Sequence, residues 1–414
     1  MIFGDIGNYL SYDKRIVSYY CHLCDVKMRN SNNKHSTLIY LDYNATTPVD
    51  KEVADSMWPF IADHFGNPSS SHALGTYAKK AITQARSSLA EALGAQDEVV
   101  VFTGGGSEAN NLAIKGIAHA FQSKGKHIII SSIEHPSITV AAHFLARQGY
   151  EVSIIPVNKN GIVNIEALEK AIKSETVLVS IMLVNNEVGT IQPIADIASM
   201  VHSRGVLLHT DAAQAIGKIP VNMTDLGVDL LSVAGHKFYA PPGIGALLVR
   251  KNLKPESLIH GAGHENGFRA GTENTPYIVA LSKAAEISVA RLDEFQKRVK
   301  PLRERLQEIL INAYPGAVVN GDSDKRICNT LNISFPGIDS VQLMESIRDR
   351  IACSTGSACH SGRAEPSQIL LNMGRSNDLA KSALRLSLGW QTTHDEIEEA
   401  SDYMASKLKA LTSF

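Results

Sequence analysis

Short runs of β-branched residues alternate with amphipathic segments between about residues 75 and 290, and this alternation constrains the fold most. The β-branched runs are predicted strands, at Val99–Phe102, His127–Ser131, Val152–Val157, Val177–Leu183, Val206–His209, Leu230–Val233 and Ile244–Arg250. The intervening segments are predicted helices, at Ser107–Gln122, Ile165–Ser174 and Ile194–Ser203. Strand–helix–strand units at this spacing predict an α/β fold whose mainly parallel sheet is covered by helices on both faces.

The pattern changes after about residue 295, where a smaller α+β domain is predicted. A long helix at Leu292–Leu310 leads to short strands near Thr330–Phe335 and Arg385–Ser387, and a charged helix follows from His394. The predicted parts are an N-terminal extension (1–36), a segment packing with the small domain (37–60), a large binding domain (61–295) and the small domain (296–414).

Composition and charge exclude several classes of protein. The formal net charge is −2 and no apolar run approaches the roughly 18–20 residues of a spanning helix, so neither nucleic acid nor a membrane is an expected partner. Five cysteines in 414 residues do not form a disulfide framework, which predicts a reducing compartment, the cytoplasm, with the mitochondrion as the alternative. Cys21 and Cys24 have metal-like spacing but no second pair nearby, so no metal site is expected.

Lys237 stands between the predicted strand Leu230–Val233 and the apolar run that begins at Ile244. Lysine is almost never fully buried without a partner. Burial lowers the proton affinity of a lysine amine and makes it a usable nucleophile. The position therefore predicts a Schiff-base lysine in a crevice beyond the carboxyl ends of the strands.

A glycine-rich turn, Thr103–Asn111, follows the first predicted strand of the sheet and opens a helix. Glycines such as Gly104 and Gly105 let the backbone approach an anion, and N–H groups at a helix N-terminus bind phosphate. The spacing matches neither a P-loop nor a dinucleotide fingerprint. This segment alone supports a phosphate site and a plain βα turn equally.

Asp211 and Gln214 follow the predicted strand Val206–His209, where side chains face the ligand crevice. The Asp211 carboxylate could keep a pyridinium nitrogen protonated, and Gln214 could donate to a ring oxygen. The alternative for Asp211 is a helix N-cap.

His135 and Asn186 follow two further predicted strands. The His135 ring could stack on an aromatic ring and transfer protons near neutral pH; the alternative is a helix start with Pro136 at its first position. Asn186 offers an amide donor at the same rim, or else forms a turn. Together with Lys237, the strand-end motifs predict pyridoxal 5′-phosphate as the cofactor.

Two residues of the predicted small domain also suggest chemistry. Cys359 lies among glycines and serines in Cys353–Gly362, which predicts an exposed loop and a candidate nucleophile. Cys353 is predicted to be structural, and Cys328 is predicted to lie in the core or at the rim. Arg385 lies between apolar residues on a predicted strand and needs a carboxylate partner. That partner is either the α-carboxylate of a substrate or an acidic residue of the chain, and the sequence favours neither.

Taken in order, these motifs resemble the cysteine desulfurases, a branch of the fold-type-I, class V aminotransferase group. The resemblance covers about Leu41 to Gly389 and rests on Leu41–Pro48, Gly66–Ser70, Thr103–Asn111, Glu134–His135, Asn185–Glu187, Thr210–Gln214, His236–Lys237 and Ser357–Cys359. The segments Gly235–Tyr239 and Arg269–Pro276 look closest to selenocysteine lyase, a near relative.

The resemblance implies a homodimer with active sites at the subunit interface. It implies catalytic roles for Lys237, His135 and Cys359, with the cysteine attacking the substrate sulfur to leave a persulfide and L-alanine. Arg385 and Asn44 would bind the substrate. The implied cofactor residues are Thr103, Gly104, Gly105, His135, Asn186, Asp211, Gln214, His236, Lys237 and, toward the other subunit, Thr272.

Two positions depart from the related patterns. Many desulfurases have a serine three residues before the Schiff-base lysine, where this chain has Ala234, and Ser232 is the nearest substitute. Selenocysteine lyases would have an acidic residue where this chain has Pro136. We therefore predict a cysteine desulfurase acting on an amino acid, with a sulfur- or selenium-acceptor protein as partner, as in iron–sulfur cluster assembly. The alternatives are a selenocysteine lyase and, more distantly, a class V aminotransferase that would not need Cys359.

Overall fold

The computed structural model describes residues 38–95, 100–355 and 365–412. The strands are β1 Ile39–Tyr40, β2 Val100–Thr103, β3 His127–Ser131, β4 Glu151–Ile155, β5 Thr176–Ser180, β6 Leu207–Asp211, β7 Leu230–Ala234, β8 Gly245–Val249, β9 Val318–Asn320, β10 Thr330–Ser334, β11 Ile351–Ala352 and β12 Ala383–Ser387. The helices are α1 Lys51–Ala62, α2 Ala73–Ala92, α3 Gly106–Ala120, α4 Pro136–Arg147, α5 Ile165–Ala171, α6 Ile194–Ser203, α7 Met223–Leu226, α8 Thr275–Ala290, α9 Leu292–Ala313, α10 Ser340–Ile347, α11 Gln368–Asn372, α12 Asn377–Lys381 and α13 His394–Thr412.

A seven-stranded sheet in the order β2-β8-β7-β6-β5-β3-β4 forms the centre of the molecule. Strand β8 runs antiparallel to both of its neighbours, and the remaining neighbouring strands are parallel. The predicted α/β fold with a mainly parallel sheet is confirmed. Strands β2 and β6 extend beyond their predicted ends, because Thr103 pairs with Gly245 and Asp211 pairs with Ser232.

Alternating residues of the strands build separate cores on the two faces of this sheet. Ile129 and Leu208 belong to a cluster that includes residues of α2, α6 and α8. Ile128 and Leu178 belong to a second cluster, with residues of α3 and α4. Successive side chains of a strand point to opposite faces, so each strand contributes to both cores. This double burial explains why the strands are continuously apolar.

A smaller three-stranded antiparallel sheet, β12-β10-β9, packs with α9 and α13 around a third core. The segment 37–60 divides between this part and the large sheet. Ile39 and Leu41 lie in the small core, and β1 pairs with β11. Val53 and Met57 of α1 instead lie in the large core, because the apolar side of α1 packs on α8. The helix after Asp50 therefore packs with the large sheet, contrary to the sequence expectation.

The carboxyl ends of β3, β5, β6 and β7 meet at one rim of the large sheet. The loop after β1 and strand β12 lie beside this rim, since Asp42 forms a bridge with Ser387. None of the described helices is both long and apolar enough to cross a bilayer. Across the same residues, no group of three or more His, Cys, Asp or Glu side chains is placed to hold a metal ion.

Candidate active site

A cavity of about 630 Å³ opens at the rim where the parallel strands meet the small sheet. Its wall contains most of the residues that the sequence predicts for the site, from both parts of the molecule. They are Asn44, Gly104, Gly105, His135, Asn186, Asp211, Gln214, His236, Lys237 and Arg385. Ligands of α/β sheets bind beyond the carboxyl ends of the strands, which is where this cavity lies.

Lys237 is the last residue of a 3₁₀ turn, Gly235–Lys237, directly after β7. Its Nζ donates to the carbonyl oxygens of Asn44 at 2.8 Å and of Ala45 at 2.7 Å. Burial, followed by the positive charge of Arg385, lowers the pKa of Lys237 to about 8. A fraction of this amine is therefore unprotonated near neutral pH, as nucleophilic attack requires.

Asp211, the last residue of β6, is buried and lines the cavity. Its Oδ2 accepts a hydrogen bond from Asn110 Nδ2 at 2.7 Å, and its Oδ1 accepts from the Ala213 N–H at 2.9 Å. Asn110 Nδ2 also donates to Ser137 Oγ at 2.8 Å. These N–H donors hold the carboxylate as an acceptor, the role needed beside a protonated ring nitrogen.

His135 caps the N-terminus of α4 and also lines the cavity, so both sequence interpretations describe its position. Its Nδ1 accepts from the Ser137 backbone N–H at 3.1 Å, which places the proton of the neutral ring on Nε2. Burial lowers the pKa of His135 below its usual value, against the opposing effect of Asp211. The ring is therefore mainly neutral near pH 7.

The glycine-rich turn reaches the cavity through Gly104, Gly105, Gly106 and Ser107. Gly105 has a φ of 148°, a conformation that favours glycine. Helix α3 begins at Gly106, and the first N–H groups of a helix have no partners inside it. The segment therefore has the backbone donors and the close approach that bind a phosphate group.

Two residues that the sequence suggested for phosphate binding do not line the cavity. Thr103 is buried, and its Oγ1 donates to the Gly105 carbonyl oxygen at 3.0 Å. Ser232 is fully buried, and its Oγ lies 2.9 Å from His209 Nε2. Ser107 supplies the hydroxyl on this wall instead, and its place at the start of the helix was the signal that could have found it.

Gln214 and Asn44 are joined by a hydrogen bond at the back of the cavity. Gln214 Nε2 donates to the Asn44 carbonyl oxygen at 2.8 Å. The Asn44 side chain is engaged inside the protein, since its Nδ2 donates to Thr330 Oγ1 at 2.8 Å and to the Asn186 carbonyl oxygen at 3.2 Å. This geometry does not support the predicted contact between the Asn44 amide and a substrate.

Arg385 enters the cavity from β12, with its side chain 8% exposed. One nitrogen donates to Asp42 Oδ1 at 2.7 Å, and another donates to the Asn186 carbonyl oxygen at 3.2 Å. Its Nε is buried without a hydrogen-bond partner among the described residues. Arg385 thus forms the intramolecular ion pair considered from the sequence and keeps an unused donor.

The remaining predicted residues lie in different surroundings. His236 lines the cavity with its Nδ1 3.1 Å from Thr46 Oγ1, and burial lowers the pKa of His236 to about 4. Thr272 is exposed and lies outside the cavity wall of its own chain. Cys359 falls outside the described residues.

Cys328 and Cys353 are free thiols that pack against the small core. Burial raises the pKa of Cys328 to about 11 and that of Cys353 to about 12. Both thiols are protonated near neutral pH and are poor nucleophiles. Cys328 lies in the small core, one of its two predicted locations, and a structural role for Cys353 stays a prediction.

Four residues at or behind the wall were missed by the sequence analysis. Ser107 and Asn110 lie three residues apart on α3, and so on one helix face. Lys218 donates to Gln214, four residues earlier, at 2.7 Å. Asp42, paired with Arg385, belongs to a quoted motif but is 343 residues away in the chain, and sequence spacing gives no signal for such a contact.

Comparison with known proteins identifies the family. The class-V aminotransferase family model matches residues 39–399. Cysteine desulfurase IscS of Methanosarcina thermophila is 42% identical over 391 residues, which are 94% of this chain and 96% of that protein. The chain belongs to the cysteine desulfurases of the class-V aminotransferase family.

Solved structures are similar over most of the same length. A NifS-like protein gives a TM-score of 0.86 at 36% identity and covers 90% of this chain and 100% of that one. The structure of SspA in complex with cysteine gives a TM-score of 0.75 at 38% identity, over 84% of this chain and 98% of that one. The resemblance drawn from the sequence motifs is thus confirmed.

Class-V aminotransferases and cysteine desulfurases depend on pyridoxal 5′-phosphate, and the predicted cofactor is confirmed. The cavity fits this group by its own geometry. Lys237 provides a partly buried amine of lowered pKa, and Asp211 provides a fixed acceptor. The glycine turn packs closely on the end of β7, where a Cβ on Gly106 would lie 2.8 Å from the Ala234 Cβ, and it leaves open space beside Gly105, where a Cβ would meet no atom within 4 Å. The contacts of individual residues with the cofactor belong to the proposals below.

Proposed function

We propose that this cysteine desulfurase removes the sulfur of L-cysteine, producing L-alanine and a persulfide on Cys359. One observation carries the proposal. A partly buried amine of lowered pKa, Lys237, shares a cavity with an acceptor carboxylate, Asp211, and with an arginine that has an unused donor, Arg385. The complex of the related SspA with cysteine supports cysteine as the substrate.

The large-sheet side of the cavity would hold the cofactor. Pyridoxal 5′-phosphate, when bound, supplies an aldehyde and an electron-withdrawing ring that weaken bonds at the α- and β-carbons of an amino acid. Lys237 would bind at the aldehyde carbon, and its amine, with a pKa of about 8, would move protons at the substrate α-carbon. Asp211 would accept from the ring nitrogen, and Gly104–Ser107 would surround the phosphate.

Arg385 and Cys359 would act on the two ends of the substrate. The Arg385 guanidinium would donate to the substrate carboxylate while Asp42 keeps it in place. The Cys359 thiolate would attack the substrate sulfur, so a sulfur–sulfur bond forms as the carbon–sulfur bond breaks. The electron pair of that bond passes to the carbon, which takes up a proton to give alanine. Ser354 and Arg385 exchange backbone hydrogen bonds of 3.2 and 2.6 Å, so the segment leading to Cys359 starts beside the arginine.

The experiment compares sulfide release from cysteine with selenide release from selenocysteine in the same preparation. Cys359→Ser is expected to abolish sulfide release, because a thiolate nucleophile is lost, while part of the selenide release persists because a selenol leaves readily. Cys353→Ser is the matched control and should retain both activities, since that thiol is protonated. Full desulfurase activity in Cys359→Ser would refute the persulfide role. A preference for selenocysteine in the wild type would favour the lyase, and amino transfer to a keto acid would favour the aminotransferase.

We further propose that the protein acts as a homodimer. Helices α1 and α2 and the segment that joins them expose large apolar side chains, with Trp58 58% and Phe65 67% exposed. The other members of this patch are Ile61, Leu74 and Tyr77. Patches of this kind mark protein interfaces, and a second copy fits the implied use of the exposed Thr272 by the other subunit. Sedimentation should give twice the chain mass of 44.8 kDa. Trp58→Glu should shift it toward the monomer, and a monomeric, fully active wild type would contradict this proposal.

A sulfur acceptor and a reducing compartment complete the proposal. A persulfide must pass its sulfur to a thiol or protein acceptor before the next turnover. Free thiols such as Cys328 and Cys353 support a reducing environment, and we propose the cytoplasm, with the mitochondrion as the alternative.

A further inference from the structure

Lys218 is a second lysine close to the cavity, and the mechanism above does not use it. It follows β6 and is only 5% exposed. It does not line the cavity, so it lies behind the wall that Gln214 presents. Its Nζ donates to Gln214 Oε1 at 2.7 Å. A buried ammonium is costly unless it is paired, so this position needs a physical explanation.

The hydrogen bond from Lys218 determines which way the Gln214 amide faces. The Lys218 Nζ donates to the amide oxygen of Gln214, so that oxygen faces the lysine. The amide nitrogen then points toward the cavity, where one of its two N–H groups donates to the Asn44 carbonyl oxygen at 2.8 Å. The second N–H remains available to an acceptor inside the cavity.

The electrostatic surroundings of Lys218 also indicate an anionic ligand. The titratable groups that act on it are Lys237, Arg385 and Cys328. None of these is a carboxylate, and Cys328 is protonated near neutral pH because burial raises its pKa to about 11. Burial and the charge of Lys237 lower the pKa of Lys218 to about 7. An anionic oxygen on the cavity side of Gln214 would offset this unfavourable charge.

We propose that Lys218 is a positioning residue for the cofactor: it fixes the Gln214 amide so that Nε2 donates to the phenolic oxygen of pyridoxal 5′-phosphate. The proposal rests on the proposed function for the identity of the ligand in the cavity. Lys218 acts through Gln214 and does not touch the cofactor.

The experiment titrates the cofactor-free full-length protein with pyridoxal 5′-phosphate and follows visible absorbance. Lys218→Met removes both charge and donor, and it should weaken cofactor binding by roughly tenfold, the loss of about one charge-assisted hydrogen bond. The pH midpoint of the bound cofactor's visible spectrum should move upward, because a positive charge near its oxygen is lost. Lys218→Gln keeps a hydrogen-bond donor but removes the charge. Its affinity for the cofactor should be close to that of the wild type, whereas its pH midpoint should be shifted upward as in Lys218→Met.

A double-mutant cycle with Gln214→Ala separates positioning from a purely structural role. If Lys218 acts through Gln214, Lys218→Met should cause little further loss of affinity in the Gln214→Ala background. Lys173→Met is the matched control, since Lys173 is a half-exposed lysine paired with Glu151, and it should leave affinity and midpoint unchanged.

The outcomes distinguish this inference from the proposed function. A wild type that does not bind the cofactor would refute the proposed function itself. A wild type that binds it, with unchanged affinity and midpoint in folded Lys218→Met, would overturn the role of Lys218. Fully additive losses in the double variant would overturn it as well. Should Lys218→Met not fold, Lys218→Gln decides, because an unmoved midpoint in that variant contradicts the proposal.

Discussion

The two sides of the cavity are held in place by different means. On the large-sheet side, Lys237 and Asp211 stand at strand ends, and Asp211 is fixed by the nearby Asn110. On the small-sheet side, Arg385 is held by an ion pair with Asp42 and by the Asn186 carbonyl oxygen. The large-sheet side presents groups already arranged for a cofactor. The small-sheet side presents a cation that is already paired, and under the proposed function a substrate carboxylate would share it with Asp42.

This difference suggests separate tasks for the two sides. The cofactor stays through many turnovers, so its contacts profit from rigid strand ends. The substrate enters and leaves in every cycle, and a shared arginine keeps its charge compensated between substrates. Variants on the large-sheet side should therefore alter cofactor binding and chemistry, whereas variants on the small-sheet side should alter substrate affinity.

The largest expected effect is at Lys237. Lys237→Ala should reduce turnover by at least about 10³-fold, a rate loss typical of removing a general base. It should also abolish the borohydride reduction that links the bound cofactor covalently to the protein. Turnover and mass spectrometry of the reduced protein measure the two effects.

Lys237→Arg is the matched control for charge. It keeps a cation in the wall but cannot form the same covalent bond, so it should be as inactive as Lys237→Ala. Substantial turnover in either variant would show that Lys237 is not the reacting amine.

The large-sheet side was also the side that sequence reasoning could predict. Lys237, Asp211 and His135 each follow a recognisable apolar run, and parallel strands bring their carboxyl ends to one rim. Local spacing was a weaker guide within the glycine turn, where Thr103 was selected and Ser107 lines the wall, because β2 runs one residue further than predicted.

Contacts between distant segments could not be predicted in this way. The pairing of Arg385 with Asp42 depends on how β12 packs beside the loop after β1, which no local pattern encodes. For the same reason the helix after Asp50 was assigned to the wrong neighbour, since its buried residues Val53 and Met57 do not by themselves indicate which core they join.

An intermediate effect is expected at Arg385. Arg385→Gln should raise the KM for cysteine by about 10²-fold, because a charge-assisted hydrogen bond to the substrate carboxylate is lost, and should change kcat less. Steady-state kinetics and the visible spectrum of the bound cofactor should be measured together. The spectrum should stay like that of the wild type if the two sides are separate.

Asp42→Asn provides the matched comparison on the same ion pair. It removes the charge that competes with the substrate carboxylate and keeps a hydrogen-bond acceptor for Arg385. The KM for cysteine should therefore fall by a few-fold, about the difference in strength between a hydrogen bond to a charged partner and one to a neutral partner. A rise in KM equal to that of Arg385→Gln would mean that Asp42 itself contributes to substrate binding.

The smallest expected effect is one on stability, and it involves Glu134, a buried carboxyl behind the large-sheet side. Its Oε1 accepts from Ser131 Oγ at 2.5 Å and from the Met182 N–H at 2.9 Å. Burial raises the pKa of Glu134 to about 8, so the neutral acid is the folded form near pH 7. The stability from this raised pKa is fully present below the unfolded pKa and is lost as pH rises through about 8. In the wild type, the free energy of unfolding should fall as the pH rises from 5 to 9. Glu134→Gln should reduce that fall by on the order of 2–4 kcal/mol.

Glu187 allows the same measurement at the boundary with the small sheet. Its carboxylate accepts from Ser367 Oγ at 2.6 Å, and burial raises the pKa of Glu187 to about 7. Urea unfolding at a series of pH values gives the effect of each substitution on the free energy of unfolding as a function of pH. The pH at which this effect is half complete should be lower for Glu187→Gln than for Glu134→Gln. Identical pH profiles for the two variants and the wild type would show that neither carboxyl is held neutral by burial.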